Sequence, residues 1–94
     1  MQKVANFYKV LSSWGFPMGL LGGAPLLWVA FRAIEREAEG KPWHVMELCD
    51  EVAREHDGWT QWAVWRSIQD ALKRSKGPKR PGDAIRALTK AVRE

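Results

Sequence analysis

The segment WTQWAVWRSIQDALKRS, residues 59–75, constrains the fold most, because it is typical of a helix with two unlike faces. One face carries apolar side chains at the spacing of a helical stripe, which is expected to dock on a core. This stripe comprises Val64, Ile68, Ala71 and Leu72. Thr60 is the predicted N-cap, since its hydroxyl can accept a hydrogen bond from a free N–H of the first turn. The remaining surface mixes an arginine, a lysine, two amides and two indoles: Gln61, Trp62, Trp65, Arg66, Gln69 and Lys73.

Four further segments have helical periodicity, and we find no alternation of the kind that predicts a strand. We predict helices at residues 3–14, from Pro25 to Gly40, from Pro42 to the turn at Asp57-Gly58, and at residues 83–93. The apolar, glycine- and proline-rich residues 15–25 are expected to pack as a tight, partly buried turn. A chain of 94 residues can form one modest core. The prediction is therefore an all-α, compact five-helix domain spanning residues 1–94.

The third and fourth predicted helices are separated by a few residues only. Together they have the length of a helix-turn-helix, at about residues 43–75. In such motifs the first helix crosses the DNA backbone and the second enters the major groove. Amides, arginine and indoles on the fourth helix can pair with base edges or pack on apolar groups there. The pattern therefore predicts binding to double-stranded DNA.

The charge of the chain is distributed unevenly. Residues 66–94 hold nine Lys and Arg against three acidic residues, whereas residues 1–65 hold six against eight. The C-terminal third is thus the electropositive part of a chain with net charge +4. Such asymmetry favours an anionic partner, most often nucleic acid. The alternative is a basic tail that serves solubility.

Arg66 is the predicted base-reading residue, as a bidentate donor to guanine. The alternative for this side chain is an ion pair with Asp70, four residues further along the helix. The predicted base contacts are Gln61, Trp62, Arg66 and Gln69. The predicted phosphate contacts, which would add salt-dependent affinity, are Thr60, Lys73, Arg74, Lys76, Lys79 and Arg80. For the basic run, the alternative is a solvated loop.

Other classes of function find little support in the sequence. The single cysteine, Cys49, excludes an internal disulfide and fits a reducing cytoplasm. We predict no metal site, because a zinc site usually needs closely spaced Cys or His pairs, and we find no catalytic motif or cofactor fingerprint. The uncharged residues 15–31 contain four glycines and two prolines and fall short of a membrane span. We therefore expect neither an enzyme nor a membrane protein.

A pattern spread over most of the chain resembles the C-terminal DNA-binding effector domain of the master sporulation response regulator of endospore-forming bacteria. Residues 11–17, LSSWGFP, followed by the glycine pair 22–23 and the leucine pair 26–27, look like its opening helix and turn. HVMELCDEVAREH, residues 44–56, and TQWAVWRSIQDAL, residues 60–72, are similar to its third helix and its recognition helix. The matching positions of the recognition helix are Thr60, Val64, Arg66, Ile68 and Ala71. The last helix, after Pro81, is similar to the family's terminal helix.

The resemblance implies a small transcriptional regulator with a role in sporulation-type control. We expect no phosphorylation control of the family's type, because these 94 residues hold no receiver domain. Ala63 and Trp65 stand where the family has charged base-reading residues, so a different DNA sequence is expected, and loss of DNA binding is the open alternative. One module of this size buries only roughly 600–1,000 Å² on DNA, which favours a homodimer or tandem binding.

A second function from another class fits the same helix. Trp62 and Trp65 would then form a patch that binds a protein partner, such as a regulator or a polymerase subunit, on a retained helix-turn-helix scaffold. Exposed indoles without a continuous positive surface would favour this alternative. A buried Trp65 beside exposed Arg66 and Lys73 would favour DNA. The position of Trp65, next to the stripe residue Val64, predicts that it is at least partly buried.

Overall fold

Five helices account for the fold of the chain, which we describe from a computed structural model for residues 2–16 and 23–93. They are α1 (Gln2–Ser13), α2 (Gly23–Ala38), α3 (Val45–Arg54), α4 (Gln61–Lys73) and α5 (Pro81–Arg93). The described residues contain no strand. The predicted all-α, five-helix class is therefore confirmed. The predicted turn at residues 15–25 falls largely on residues 17–22, which lie outside the described part.

Two helix ends follow directly from glycine. Gly40, with φ +72°, donates its N–H to the carbonyl of Glu37, and the next residue, Lys41, donates to Arg36 at 2.8 Å. This pair of bonds is a Schellman motif, which needs a left-handed residue that glycine adopts without strain. Gly15, with φ +67°, ends α1 in the same way, and Phe16 donates to the Leu11 carbonyl.

The core lies where α2 meets the other helices, with α1 packed mainly on α5 and α4 packed mainly on α3. Its largest fully buried side chains are Phe7, Leu11, Leu26, Val29, Leu48, Cys49, Val52, Ile68, Leu72, Ile85 and Leu88. The predicted stripe of α4 is buried as expected. In α3 the same spacing predicts an inward stripe of Val45, Leu48, Cys49, Val52 and Ala53, and all of these are buried except Val45, which is partly buried. In α2 helical spacing predicts an inward face of Leu27, Ala30, Phe31 and Ile34. Ala30 is buried as predicted and the other three are partly buried, while the most deeply buried face comprises Leu26, Val29, Ala30 and Ala33.

An ionic ladder joins α2 to α3. Arg32 pairs with Glu55, and Arg36 pairs with Glu51 and, at 3.6 Å, with Glu47. The partners lie four residues apart on each helix, so they face each other in register. The hydrogen bond that Arg36 donates to the Glu51 carboxylate raises the pKa of the Arg36 guanidinium, although partial burial opposes this. Helical spacing predicts that these five side chains face water, opposite the apolar stripes of their helices, and in the structure they tie the two helices together.

The only cysteine of the chain, Cys49, is fully buried in α3. Burial raises the pKa of its thiol from the ordinary value of 9.0 to about 12, because the apolar surroundings disfavour the thiolate. The thiolate is the reactive form of cysteine. Cys49 is therefore a packing residue and not a nucleophile.

Cys49 should accordingly be protected from thiol reagents in the folded protein. At about pH 8, a pKa higher by three units leaves roughly a thousandfold less thiolate, before any steric protection is counted. We expect reaction with an aromatic disulfide reagent to be slower in the native protein by at least about that factor than in denaturant. Comparable rates in the two states would contradict the burial of this thiol.

The connection between α4 and α5 packs against the end of α1. Lys76 donates its N–H to the carbonyl of Trp14 at 2.6 Å. A Cβ added to Gly77 would lie within 3.0 Å of three ring carbons of Trp14. Glycine at this position therefore allows the close approach of the backbone to the indole.

Gly77→Ala should destabilise the fold by about 1–3 kcal/mol, since either the indole or the connection must move. The matched control is Gly82→Ala in α5, where the added Cβ would meet only Val45 Cγ2 at 3.4 Å. That change should be neutral or stabilising by up to about 1 kcal/mol, because alanine favours helix. Urea denaturation of both variants measures the difference, and equal midpoints would contradict the described packing of Trp14.

Candidate nucleic-acid interface

The turn between α3 and α4, residues 55–60, is built around a stack of aromatic rings. His56 stacks on Trp59 with ring centroids 4.0 Å apart, and Trp28 of α2 lies against His56 at 5.4 Å. His56 Nδ1 donates to the carbonyl of Val52, 2.9 Å away, which fixes the ring at the end of α3. Gly58, with φ +84°, provides the left-handed residue of the turn. The turn therefore has defined packing of its own, which sets how α4 leaves α3.

Two side chains fix the beginning of α4. Thr60 is the N-cap, and its Oγ1 accepts from the N–H of Ala63 at 3.1 Å, which confirms the predicted cap. Gln61 donates from Nε2 to the carbonyl of Met46 in α3 at 2.8 Å. Its amide thus joins the first turns of the two helices. Base contact by Gln61 stays a prediction, and in this structure the amide already has a partner within the protein.

The exposed face of α4 follows from the burial of its stripe. Since a helix advances 100° per residue, the positions opposite the buried stripe are Trp62, Ala63, Arg66, Asp70 and Lys73, and all five are exposed. Two of the predicted base contacts, Trp62 and Arg66, lie on this face. Gln69 lies at its edge and is partly buried.

Arg66 stands at the middle of this face. Within the described part of the chain, no ion pair within 4.0 Å joins its guanidinium to Asp70 or to another carboxylate. The alternative of an intrahelical ion pair with Asp70 is therefore not the arrangement seen. The guanidinium fork is available to an external acceptor, such as a guanine edge or a phosphate.

The two indoles of α4 have unequal environments. Trp65 is partly buried and packs against the core, as predicted from its position beside Val64. Trp62 is 64% exposed and meets Trp65 edge to face at 6.0 Å. Trp62 thus provides an exposed apolar surface beside Arg66, and Trp65 packs between Trp62 and the core.

The predicted phosphate contacts divide into two groups. Lys73, Arg74, Lys76 and Arg80 are exposed at the end of α4 and in the connection that follows. Lys79 instead donates from Nζ to the carbonyls of Ser75 and, at 3.5 Å, Leu72. A lysine at the last carbonyls of a helix stabilises its C-terminus. Lys79 therefore has a structural partner, and its contact with phosphate stays a prediction.

Two members of the exposed face, Asp70 and Ala63, are not among the predicted DNA contacts, although the resemblance places Ala63 at a base-reading position. Asp70 puts a carboxylate between Arg66 and Lys73, and Ala63 leaves a small gap beside Arg66. Near that gap a hollow of about 200 Å³ is lined by Pro25, Trp59, Ala63, Val64 and Ser67. The 100° spacing of α4 could have placed both residues on the face. The hollow, in contrast, cannot be predicted from α4 alone, because its lining includes Pro25 of α2.

In the described residues, no three or more His, Cys, Asp or Glu side chains come together as a group that could hold a metal ion. His44 is exposed as the residue before α3, and its side chain makes no capping hydrogen bond. No helix in the described ranges is long and apolar enough to cross a membrane.

Comparisons of the chain with protein-family models, with curated proteins and with solved structures gave no match. The resemblance to the sporulation effector domain therefore stays a prediction from the residues quoted above.

The N-cap of α4 can be tested without touching the core. Thr60→Ala removes the bond to the Ala63 amide and should lower the free energy of unfolding by about 0.5–2 kcal/mol. Thr60→Ser is the matched control, because its hydroxyl can make the same bond. Denaturant titrations that give Thr60→Ala and Thr60→Ser the same loss would contradict the role of the hydroxyl.

Proposed function

We propose that the chain binds double-stranded DNA, with α3 and α4 acting as a helix-turn-helix and α4 lying in the major groove. The observation that carries the proposal is the exposed face of α4, on which the guanidinium of Arg66 forms no ion pair within 4.0 Å to a carboxylate of the described residues, and Trp62 and Lys73 lie beside it. A major groove admits an α-helix, and an arginine fork fits the O6 and N7 atoms of guanine.

The phosphate contacts of this proposal come from the C-terminal end of α4 and the connection beyond it. Lys73, Arg74, Lys76 and Arg80 are exposed and close together in sequence. They would neutralise backbone phosphates and release counterions. The hydroxyl of Thr60, which accepts from Ala63, retains its own proton to donate to a phosphate at the other end of α4.

The biological role proposed is that of a small transcriptional regulator acting in the cytoplasm, in sporulation-type control. The basis for this step is the resemblance of residues 44–56 and 60–72 to the effector domain. Binding as a homodimer or in tandem would enlarge the small area that one module buries on DNA. The proposed role is binding and includes no catalytic step.

A specific observation favours a second function, in which α4 binds a protein partner. Trp62 is 64% exposed, Trp28 is 47% exposed, and Asp70 places a negative charge on the face that phosphates would approach. Exposed indoles are typical of the centre of protein interfaces. We rank this alternative second, because Trp65 is partly buried while Arg66 and Lys73 are exposed.

The experiment that tests DNA binding starts from a randomised pool of duplexes, with the bound fraction sequenced at two salt concentrations. Binding that weakens with salt and enriches one motif would support the proposal. Arg66→Ala should then weaken binding to that motif by about 1–3 kcal/mol, or roughly 5–150-fold, and relax the preference at one base pair. Arg66→Lys should lose most of the same preference, because a lysine cannot make the paired contact.

Neutralising Lys73 and Arg74 together should weaken binding to all sequences alike and reduce the salt slope by about two. Lys9→Gln, which removes one charge at an exposed lysine on α1, is the control for charge loss away from α4 and should leave binding unchanged. DNA binding that is indifferent to Arg66, Lys73 and Arg74 would sink the proposal. Absence of binding at low salt would favour the protein-partner function, which Trp62→Gln in a partner-capture experiment would then test.

A further inference from the structure

A cleft of about 460 Å³ lies away from α4, between the end of α2, the segment leading into α3 and the second half of α5. Its lining includes Lys41, Pro42, Trp43, Arg86, Thr89 and Lys90, together with Glu37. None of these residues belongs to α4 or to the connection that follows it. The volume is in the range of small-molecule sites.

The floor of the cleft is apolar and held in place. Its exposed lining is mainly carbon, and Trp43 packs partly against the core. Arg86 lies over the Trp43 ring, with its Cζ atom 5.7 Å from the ring centroid. Thr89 is buried and donates to the carbonyl of Arg86 at 2.9 Å, which fixes this turn of α5. A flat apolar group can therefore lie on a surface that is already formed.

The charged residues that line this floor are mainly cationic, although two of the cations pair with carboxylates just outside the lining. Lys41, Arg86 and Lys90 contribute three cations against the one carboxylate of Glu37. Arg86 pairs with Asp83 at 3.6 Å and Lys41 pairs with Glu39 at 3.0 Å, and both pairs are exposed. Exposed ion pairs contribute little to stability, so their cations can pair with another anion instead. Lys90 makes no salt bridge within 4.0 Å to a carboxylate of the described residues.

We propose that this cleft binds a small organic anion, which consists of a flat apolar group and one carboxylate or phosphate. The apolar group packs on Trp43 and Pro42, and the anionic group pairs with Lys90 and Arg86. A DNA phosphodiester would use the cations but leave the apolar floor empty. The cationic side chains and the apolar floor together therefore favour a small amphipathic anion over a nucleic-acid backbone.

The experiment is an NMR titration of the full chain, following the indole N–H of Trp43 and the amides of Thr89 and Lys90. 2-Naphthoate and 2-naphthyl phosphate are the probes, and their comparison tells which anionic group is preferred. At least one of them should give saturable shifts at these signals, with an affinity about fivefold or more above that of the neutral 2-naphthamide. Lys90→Gln should weaken binding about threefold or more, and Lys9→Gln should not change it.

Three results would overturn the inference. The first is the absence of a saturable shift with both probes at millimolar concentration. The second is equal affinity for 2-naphthamide, which would remove the role of the cations. The third is saturation by inorganic phosphate or by duplex DNA as tight as that by the aromatic anions, which would remove the role of the apolar floor. None of these readouts depends on whether α4 binds DNA, so the two proposals fail separately.

Discussion

The burial of one stripe on α4 determines which side chains this protein offers to a partner. Ile68 and Leu72 are fully buried and Val64 nearly so, which fixes the rotation of the helix about its axis. A rotation of one residue position would expose part of this stripe and drive Arg66 or Trp62 toward the core. Burying an unpaired guanidinium is strongly unfavourable. The apolar stripe and the charged face therefore enforce the same orientation, and the bond from Gln61 to Met46 adds a polar restraint at the first turn.

The ionic ladder between α2 and α3 changes how the charge distribution should be understood. Residues 1–65 carry an excess of acids, and three of these acids, in α3 and at its C-cap, would repel an anionic partner if they were free. In the structure all three pair with arginines of α2, and the pKa of Arg36 is raised by its bond to Glu51. The local charge of α3 is thus largely compensated. The electrostatic potential near the end of α4 is therefore set mainly by the cations that follow Arg66, although the carboxylate of Asp70 lowers this potential locally.

Local patterns predicted the helices well because periodicity, caps and glycine stops are properties of neighbouring residues. Thr60 as an N-cap and the partial burial of Trp65 are examples. The start of α3 was less well predicted, since Pro42 precedes an extended segment and the helix begins at Val45. The contacts of the candidate site residues were harder to predict than the helix boundaries. The partner of Gln61 is a carbonyl of α3, which only the relative placement of α3 and α4 reveals. The partners of Lys79 are nearby carbonyls at and just after the end of α4, which depend on the path of the connection that follows.

The cleft and the α4 face are linked by a short path through the chain. Trp43 lines the cleft, and three residues later the carbonyl of Met46 accepts from Gln61 at the first turn of α4. A ligand can shift the position of α4 only if its affinity differs between two placements of α3. The cleft is bounded on one side by the segment that leads into α3 and on another by α5, so a change in its width would shift the start of α3 relative to α5. Coupling along this path would require movement at residues 43–46, and a ligand that fitted the cleft at its present width would leave α4 where it is.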